Sequence, residues 1–189
     1  PQRRTGCAAR KKFSPVDRKG AKADMGNVIA VCVSREKGTQ KENVGTAAFL
    51  EDWGIQGDAH AGKWHRQVSL LSHEKIEAFR ARGATVAAGA FGENLVVSGI
   101  DFRSLPLGTR FQCNDVVLEL TQIGKECHNG CAIYQTMGEC IMPREGVFAR
   151  VLHGGTISVG DTLRVLPDGA QAYIPPGALP GTQTETTWR

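Results

Sequence analysis

Three cysteines and a histidine lie close together in the stretch IGKECHNGCAIYQTMGEC (123–140). The thiols are Cys127, Cys131 and Cys140, and His128 directly follows the first of them. A cluster of this kind can ligate a metal, form disulfides or contain one reactive thiol. Structural zinc is usually held by two closely spaced ligand pairs, and this sequence has no second pair. The cysteine spacing therefore allows a zinc- or partner-binding module as an alternative, but it does not specifically indicate one.

Cys127 has the sequence surroundings of a reactive thiol. It follows a long β-branched run and lies two positions after Lys125, beside a histidine. Cationic neighbours stabilise a thiolate, and a loop at the end of a strand gives reactants access to it. We therefore expect Cys127 to be the catalytic residue, and we leave open whether Cys131 is its resolving partner. Cys32 and Cys113 are expected to be small core residues.

A basic loop provides the second candidate group. The segment GIQGDAHAGKWHR (54–66) is rich in glycine and contains four basic side chains, those of His60, Lys63, His65 and Arg66. Guanidinium and backbone N–H groups bind phosphate well, so this segment suits an anionic ligand. It lacks the Gly-Lys-Ser/Thr order of a P-loop, and no carboxylate completes a metal-ligand spacing with the histidines. A solvated basic loop without a ligand is the alternative.

The pair Glu93 and Asn94 in FGENLVVSGID (91–101) is the third candidate group. Both residue types are common in turns, where their side chains bond to nearby backbone. At the mouth of a strand, the same donors and acceptors can also hold a heteroaromatic ring. The pair alone does not distinguish these two roles.

Short strands separated by turns must position these groups. Runs rich in β-branched residues predict strands at NVIAVCVS (27–34), QVSLLS (67–72), FGENLVVSGID (91–101), TRFQC (109–113) and DVVLELTQIG (115–124). Asn114 marks the tip of a predicted hairpin. The segment 146–166 predicts two final strands joined across Gly154 and Gly155.

One helix is predicted with a clear beginning and end. Ser72 suits the N-cap, and Glu74 lies in the first turn, where a negative charge is favourable. Ile76 and Phe79 fall on one side of the helix, and Gly83 can close it. The helix should therefore bury that apolar side against the sheet.

The composition fits one domain between two tails. Of the 189 residues, 41% are hydrophobic and 22% are charged, and no apolar run approaches the roughly 20 residues of a membrane-spanning helix. We expect a mainly β domain over residues 26–166, built as a closed or partly closed β-barrel with a few short helices. A basic disordered tail (1–25) and a Pro/Gly/Thr-rich disordered tail (167–189) flank it.

The charge distribution and the first residues predict a cytoplasmic protein. Residues 1–24 contain eight basic and two acidic side chains, whereas the remainder is slightly acidic. The first segment has no apolar signal sequence, so we expect the cytoplasm, where thiols stay reduced. A short basic run can contact nucleic acid, but it is too unspecific for us to expect a nucleic-acid or membrane partner.

Five motifs in a fixed order resemble the MOSC domain, which forms the C-terminus of molybdenum-cofactor sulfurases and also occurs as small stand-alone bacterial proteins. They are GIQGDAHAG, RQVSLLSHEKI, FGENLVVSGID, LPLGTRFQCNDVVLELTQIGKEC and GVFARVLHGGTISVGD, and the resemblance covers residues 26–165. It implies a closed, barrel-like sheet. It also implies that one cysteine, here Cys127, either carries sulfur or ligates the molybdenum of a pterin cofactor. Motif positions that line the pocket in the family are His60, Arg66, Ser69, Glu93, Asn94 and Arg150.

The resemblance implies a molybdenum-cofactor-associated protein that carries sulfur as a persulfide on Cys127 and binds a molybdopterin-type ligand. Its expected partners are a pyridoxal-phosphate-dependent cysteine desulfurase or molybdenum-cofactor enzymes. The alternative is a molybdenum-dependent reductase of N-hydroxylated compounds, with Cys127 as the metal ligand. A soft thiolate suits either role, since it forms persulfides and binds molybdenum.

Overall fold

The structure is a computed structural model, and it describes residues 25–126, 134–135 and 138–167. Within these ranges the strands are β1 (Met25–Val33), β2 (Glu42–Asn43), β3 (Thr46–Leu50), β4 (Gly54–Ile55), β5 (Val68–Ser72), β6 (Leu95–Ser98), β7 (Arg110–Cys113), β8 (Val116–Ile123), β9 (Val147–His153), β10 (Gly155–Ser158) and β11 (Thr162–Val165). The helices are α1 (His73–Arg80) and α2 (Met142–Glu145), with a 3₁₀ turn at Phe102–Ser104. No helix in the described ranges is long and apolar enough to span a membrane.

Seven strands close into a barrel in the order β1, β6, β5, β9, β8, β7 and β11, and β11 pairs back with β1. All neighbouring pairs are antiparallel except β5 and β6, which α1 connects as part of a crossover. Closure leaves none of the seven strands with an unpaired edge along the ring. The predicted mainly β, barrel-like fold is confirmed.

The barrel interior is filled by side chains that alternate inward along the strands. In β8, for example, the alternate residues Val116, Leu118 and Leu120 are buried and all belong to the interior core. A second apolar cluster lies outside the barrel wall under α1, which contributes Ile76 and Phe79 as predicted. The fold thus has two cores, one inside the sheet and one between the sheet and α1.

Cys32 and Cys113 are buried core residues, as predicted. Burial raises the pKa of each thiol to about 12, so both remain protonated at neutral pH. Neither thiol is in a position to act as a nucleophile.

Two local predictions differ from the structure. Ser72 is the N-cap of α1, but its hydroxyl donates to the carbonyl of Ile100 at 2.6 Å and does not cap the helix. Two strands are predicted in segment 146–166, but the structure has three there, β9, β10 and β11, and β10 pairs with β3 outside the barrel ring. The hairpin at Asn114 is present, and Asn114 adopts the positive φ of 52° that such a tight turn favours.

Candidate functional site

A cavity of about 260 Å³ lies where four loops meet at one end of the barrel. Its walls come from the segment after β1, the segment between β4 and β5, the segment before β6 and the segment after β8. Aromatic and apolar side chains form one part of its lining, namely Trp64, Phe91, Met142 and Phe148. Such a surface suits a flat ring, and the remaining lining is polar or cationic.

The ionisable side chains that line this cavity are all of basic type among the described residues. Lys37, His60, Arg66 and Lys125 contribute to its walls, and no aspartate or glutamate in the described ranges does. Among the described residues, Lys37, Arg66 and Lys125 form no ion pair. Positive charges that lie close together repel each other, and a bound anion relieves this repulsion. The cavity is therefore suited to an anionic ligand.

The guanidinium of Arg66 lies against two aromatic rings, and it forms no hydrogen bond through its buried Nε among the described residues. Its guanidinium carbon lies 4.8 Å from the centre of the Trp64 ring and 5.7 Å from that of Phe148, so both rings attract the cation. Its Nε is buried and has no hydrogen-bond partner within the described part of the chain. Buried donors are nearly always paired in folded proteins. A ligand oxygen would supply the partner that this guanidinium lacks.

His60 lines the cavity and rests on a buried ion pair. The side chains of Lys41 and Asp58 are fully buried and directly paired. Asp58 also accepts hydrogen bonds from the backbone N–H of Ser34 at 3.1 Å and of His60 at 3.0 Å. Burial alone would raise the pKa of Asp58, but the hydrogen bonds from His60 and Lys41 and the charge of Lys41 hold it well below its usual range. Asp58 is therefore a fixed anion behind the cavity wall.

Lys41 is buried against that anion. Desolvation lowers the pKa of Lys41, while the hydrogen bond and charge of Asp58 oppose this effect. Its Nζ also lies 3.2 Å from Nδ1 of His60. The sequence gives no local signal for this role, because Lys41 belongs to a polar connector between strands. Lys37 and Thr39 of the same connector also reach the cavity unexpectedly.

Ser69 and Asn94 line the cavity, but they bond mainly to each other. Oδ1 of Asn94 accepts from the N–H of Ser69 at 3.1 Å and from its hydroxyl at 2.9 Å. Nδ2 of Asn94 donates to the carbonyl of Cys32 at 2.9 Å. The side-chain amide of Asn94, directly before β6, thus links β1 and β5 at the cavity.

Glu93 is fully buried and lies behind the cavity lining. Its two carboxylate oxygens accept the N–H groups of Gly89 at 2.7 Å and Phe91 at 3.0 Å. Burial raises the pKa of Glu93 to about 6, although these bonds and the charge of Lys41 oppose it. Glu93 shapes the loop that brings Phe91 to the cavity.

Arg150 lies away from the other predicted site residues. It lines a second, more open cavity of about 310 Å³, together with Lys63 and His65. Its Nε and Nη2 lie 3.0 and 2.9 Å from Oε1 of Glu119, so this guanidinium already has an anionic partner. The structure therefore brings His60, Arg66, Ser69 and Asn94 together, and separates Arg150 from them.

Cys127, His128 and Cys131 lie outside the described residues. Lys125, two positions before Cys127, lines the first cavity, and its N–H donates to the carbonyl of Pro143 at 3.2 Å. In residues 25–126, 134–135 and 138–167, no three His, Cys, Asp or Glu side chains are grouped so as to hold a metal ion.

Comparisons with known proteins agree with this architecture. The sequence model of the MOSC domain matches residues 57–164, more than half of the chain. The structure is similar to YuaD from Bacillus subtilis, with a TM-score of 0.64 and 19% identity over 75% of this chain and 95% of that one. It is also similar to YiiM from Geobacillus stearothermophilus, with a TM-score of 0.55 and 20% identity over 77% and 76% of the two chains. The search of curated proteins found no match.

Proposed function

The chain belongs to the MOSC domain family, and from that premise we propose that it carries sulfur as a persulfide on Cys127 beside a cavity that binds a molybdopterin-type ligand. The observation that carries the proposal is the cavity itself. Three cations without ion-pair partners among the described residues line it, and one of them has a buried, unbonded Nε. Such a site favours an oxyanion.

The lining fits a ligand that joins a flat ring to a phosphate. Arg66 and Lys125 would contact the phosphate, with the donors of Arg66 suited to its geometry. Trp64, Phe91 and Phe148 would pack against the pterin rings. When bound, the ligand would supply a molybdenum centre beside the thiol. The residues present therefore fit the cofactor that the family implies.

Chain connectivity keeps Cys127 close to this cavity. Consecutive Cα atoms are about 3.8 Å apart, so the Cα of Cys127 lies within about 7.6 Å of the Cα of Lys125. Lys125 lines the cavity, and a positive charge two positions from Cys127 in the sequence would favour a thiolate over a thiol. We therefore expect a sulfur atom on Cys127 to be within reach of a ligand bound there.

The transfer needs two exchanges at sulfur. In loading, the Cys127 thiolate attacks the terminal sulfur of a donor persulfide, and the donor's thiolate leaves. In delivery, a nucleophilic acceptor attacks the terminal sulfur of the Cys127 persulfide, and the Cys127 thiolate leaves. Each step forms one bond to sulfur and breaks one, so no external oxidant is needed. The chemistry requires a persulfide donor such as a cysteine desulfurase, and the recipients would be molybdenum-cofactor enzymes.

Cyanide-labile sulfur tests this proposal directly. The protein is incubated with a cysteine desulfurase and cysteine, separated from them, and assayed for labile sulfur and intact mass. We expect close to one labile sulfur atom for each chain, and none in Cys127→Ala. Cys140→Ala is the matched control, because it removes a thiol from the same segment but should still be loaded.

Two outcomes would contradict the proposal. Equal labile sulfur in the protein and in Cys127→Ala would place the sulfur elsewhere. Stoichiometric molybdenum that is lost in Cys127→Ala, without labile sulfur, would favour the reductase with a metal-bound thiolate.

A further inference from the structure

Lys41 connects two loops of the cavity. Its backbone N–H donates to the carbonyl of Gly89 at 2.9 Å, in the loop that carries Phe91 to the cavity. Its side chain extends the other way, to Asp58 and His60 in the loop between β4 and β5. Position 41 therefore lies behind both walls without lining the cavity itself.

The hydrogen bonds around His60 assign its ring proton. An ammonium group can only donate, so Nδ1 of His60, at 3.2 Å from Nζ of Lys41, must accept. The alternative, donation from Nδ1 to Oδ1 of Asp58, would span the longer distance of 3.6 Å, and that oxygen already accepts the backbone N–H of His60 at 3.0 Å. A neutral imidazole that accepts at Nδ1 carries its proton on Nε2.

The position of the ring then determines where that proton points. Nδ1 faces the buried pair, and the side chain of His60 is 31% exposed and lines the cavity. Nε2 has no hydrogen-bond partner among the described residues. The backbone of His60 is also fixed, since its N–H donates to Asp58 and its carbonyl accepts from Trp64 Nε1 at 2.8 Å.

We propose that Lys41 and Asp58 are positioning residues that hold His60 as its Nε2–H tautomer, so that the ring presents an N–H donor to an acceptor oxygen of the bound ligand. Asp58 orients the ammonium of Lys41, and Lys41 orients the imidazole. A fixed donor discriminates against ligands that have no acceptor at that point, because the donor would then lose its partner on desolvation. Only the identity of the ligand rests on the proposed function, since the tautomer exists in the ligand-free protein.

Nitrogen NMR of the histidine side chains tests the tautomer without any ligand. The ¹⁵N shifts of His60, assigned by comparison with His60→Gln, should show a protonated Nε2 and an unprotonated Nδ1 at neutral pH. A scalar coupling between Lys41 Nζ and His60 Nδ1 should report the hydrogen bond that joins them. A proton on Nδ1, or the absence of that coupling, would overturn the proposal.

Lys41→Met separates positioning from a merely structural role. Methionine keeps the length of the side chain but cannot donate, so the carboxylate of Asp58 should draw the ring proton to Nδ1. An unchanged Nε2–H tautomer in this variant would overturn the role of Lys41. If Lys41→Met does not fold, the scalar coupling between Lys41 Nζ and His60 Nδ1 in the unaltered protein still tests the role of Lys41.

Ligand retention tests the donor and distinguishes the two proposals. The pterin content of protein purified from a cofactor-producing host should survive in His60→Gln, which keeps an N–H donor, and fall several-fold in His60→Phe. Equal retention in both variants would overturn the donor role. A protein that retains no pterin at all would contradict the proposed ligand, while the NMR measurement would still decide the tautomer.

Discussion

Arg66 and Arg150 both line cavities, yet their surroundings differ at the level of single bonds. Arg150 is paired with Glu119, whereas Arg66 lies between two aromatic rings with its Nε unbonded among the described residues. A paired guanidinium gains little from an added anion, because its charge is already balanced. Whether an arginine binds a ligand is therefore indicated better by its existing partners than by its residue type. Arg66 is the stronger candidate for ligand binding.

Glu93 should make the stability of the protein depend on pH. Its folded pKa of about 6 is raised above the ordinary value of 4.5, so its contribution is fully present below pH 4.5 and is lost as the pH rises through 6. Relative to Glu93→Gln, the protein should lose about 1–2 kcal/mol of unfolding free energy between pH 5 and pH 8. Urea unfolding of both proteins at the two pH values measures this change. A difference that does not vary with pH would show that Glu93 does not titrate in this range.

Sequence patterns located some of the cavity residues and missed others for a physical reason. His60 and Arg66 stand out because basic residues cluster beside glycines in one short segment. Lys41 has no such local pattern, and its burial arises only when Asp58 folds against it from a distant loop. Contacts of this kind depend on tertiary structure, which residue spacing along the chain does not encode.

At the scale of elements, the loop before β6 determines the shape of the cavity. Glu93 holds two of its backbone N–H groups, and its Gly89 packs directly against the backbone of Lys41. A Cβ at position 89 would lie 2.1 Å from the carbonyl oxygen of Lys41. The loop therefore has no room for a side chain at this point.

Gly89→Ala should be much more harmful than Gly57→Ala. Both glycines have positive φ, 88° and 79°, but a Cβ at position 57 would meet nothing within 4 Å. We expect a loss of about 1 kcal/mol at position 57 from backbone strain, and about 2–4 kcal/mol at position 89, where the contact adds to it. Urea unfolding of the two variants measures the losses. Similar losses would mean that the loop moves aside freely.

The strand pairings show where local patterns stop being informative. Asn114 between two predicted strands predicts the hairpin of β7 and β8, and the structure confirms it. The two glycines after β9 mark the junction to a further strand, but they do not indicate that β10 pairs with β3, more than 100 residues earlier in the sequence. Its register, with Gly155 opposite Phe49, depends on which strand is available in the folded protein. Local sequence therefore predicts that β10 is a strand but not its partner.

At the scale of the whole molecule, stability depends on closing the barrel. The short strand β11 joins β1 to β7, and its Leu163 is fully buried in the interior core. Without this strand the sheet would have two open edges and an exposed core. The ring order brings the four cavity loops to one end, so closure also supports the site.

Leu163→Ala should destabilise the whole domain. Removing a fully buried leucine side chain costs about 2–5 kcal/mol, from lost burial and from the cavity that remains. The neighbouring Arg164 is exposed, so Arg164→Ala should change the unfolding free energy by less than about 0.5 kcal/mol. Thermal or urea unfolding measures both. If the two variants were equally stable, β11 would not be essential to the core.

Pterin retention tests the central claim, that the cationic cavity at the end of the barrel binds the anionic ligand. The protein, Arg66→Gln and Arg150→Gln are purified from the same cofactor-producing host, and the pterin released from each is measured by fluorescence. A hydrogen bond to a charged group contributes about 1.5–3 kcal/mol, so Arg66→Gln should lower affinity roughly tenfold to a hundredfold. We therefore expect pterin in the protein and in Arg150→Gln, and little in Arg66→Gln. Equal pterin in all three proteins, or a loss confined to Arg150→Gln, would contradict the account.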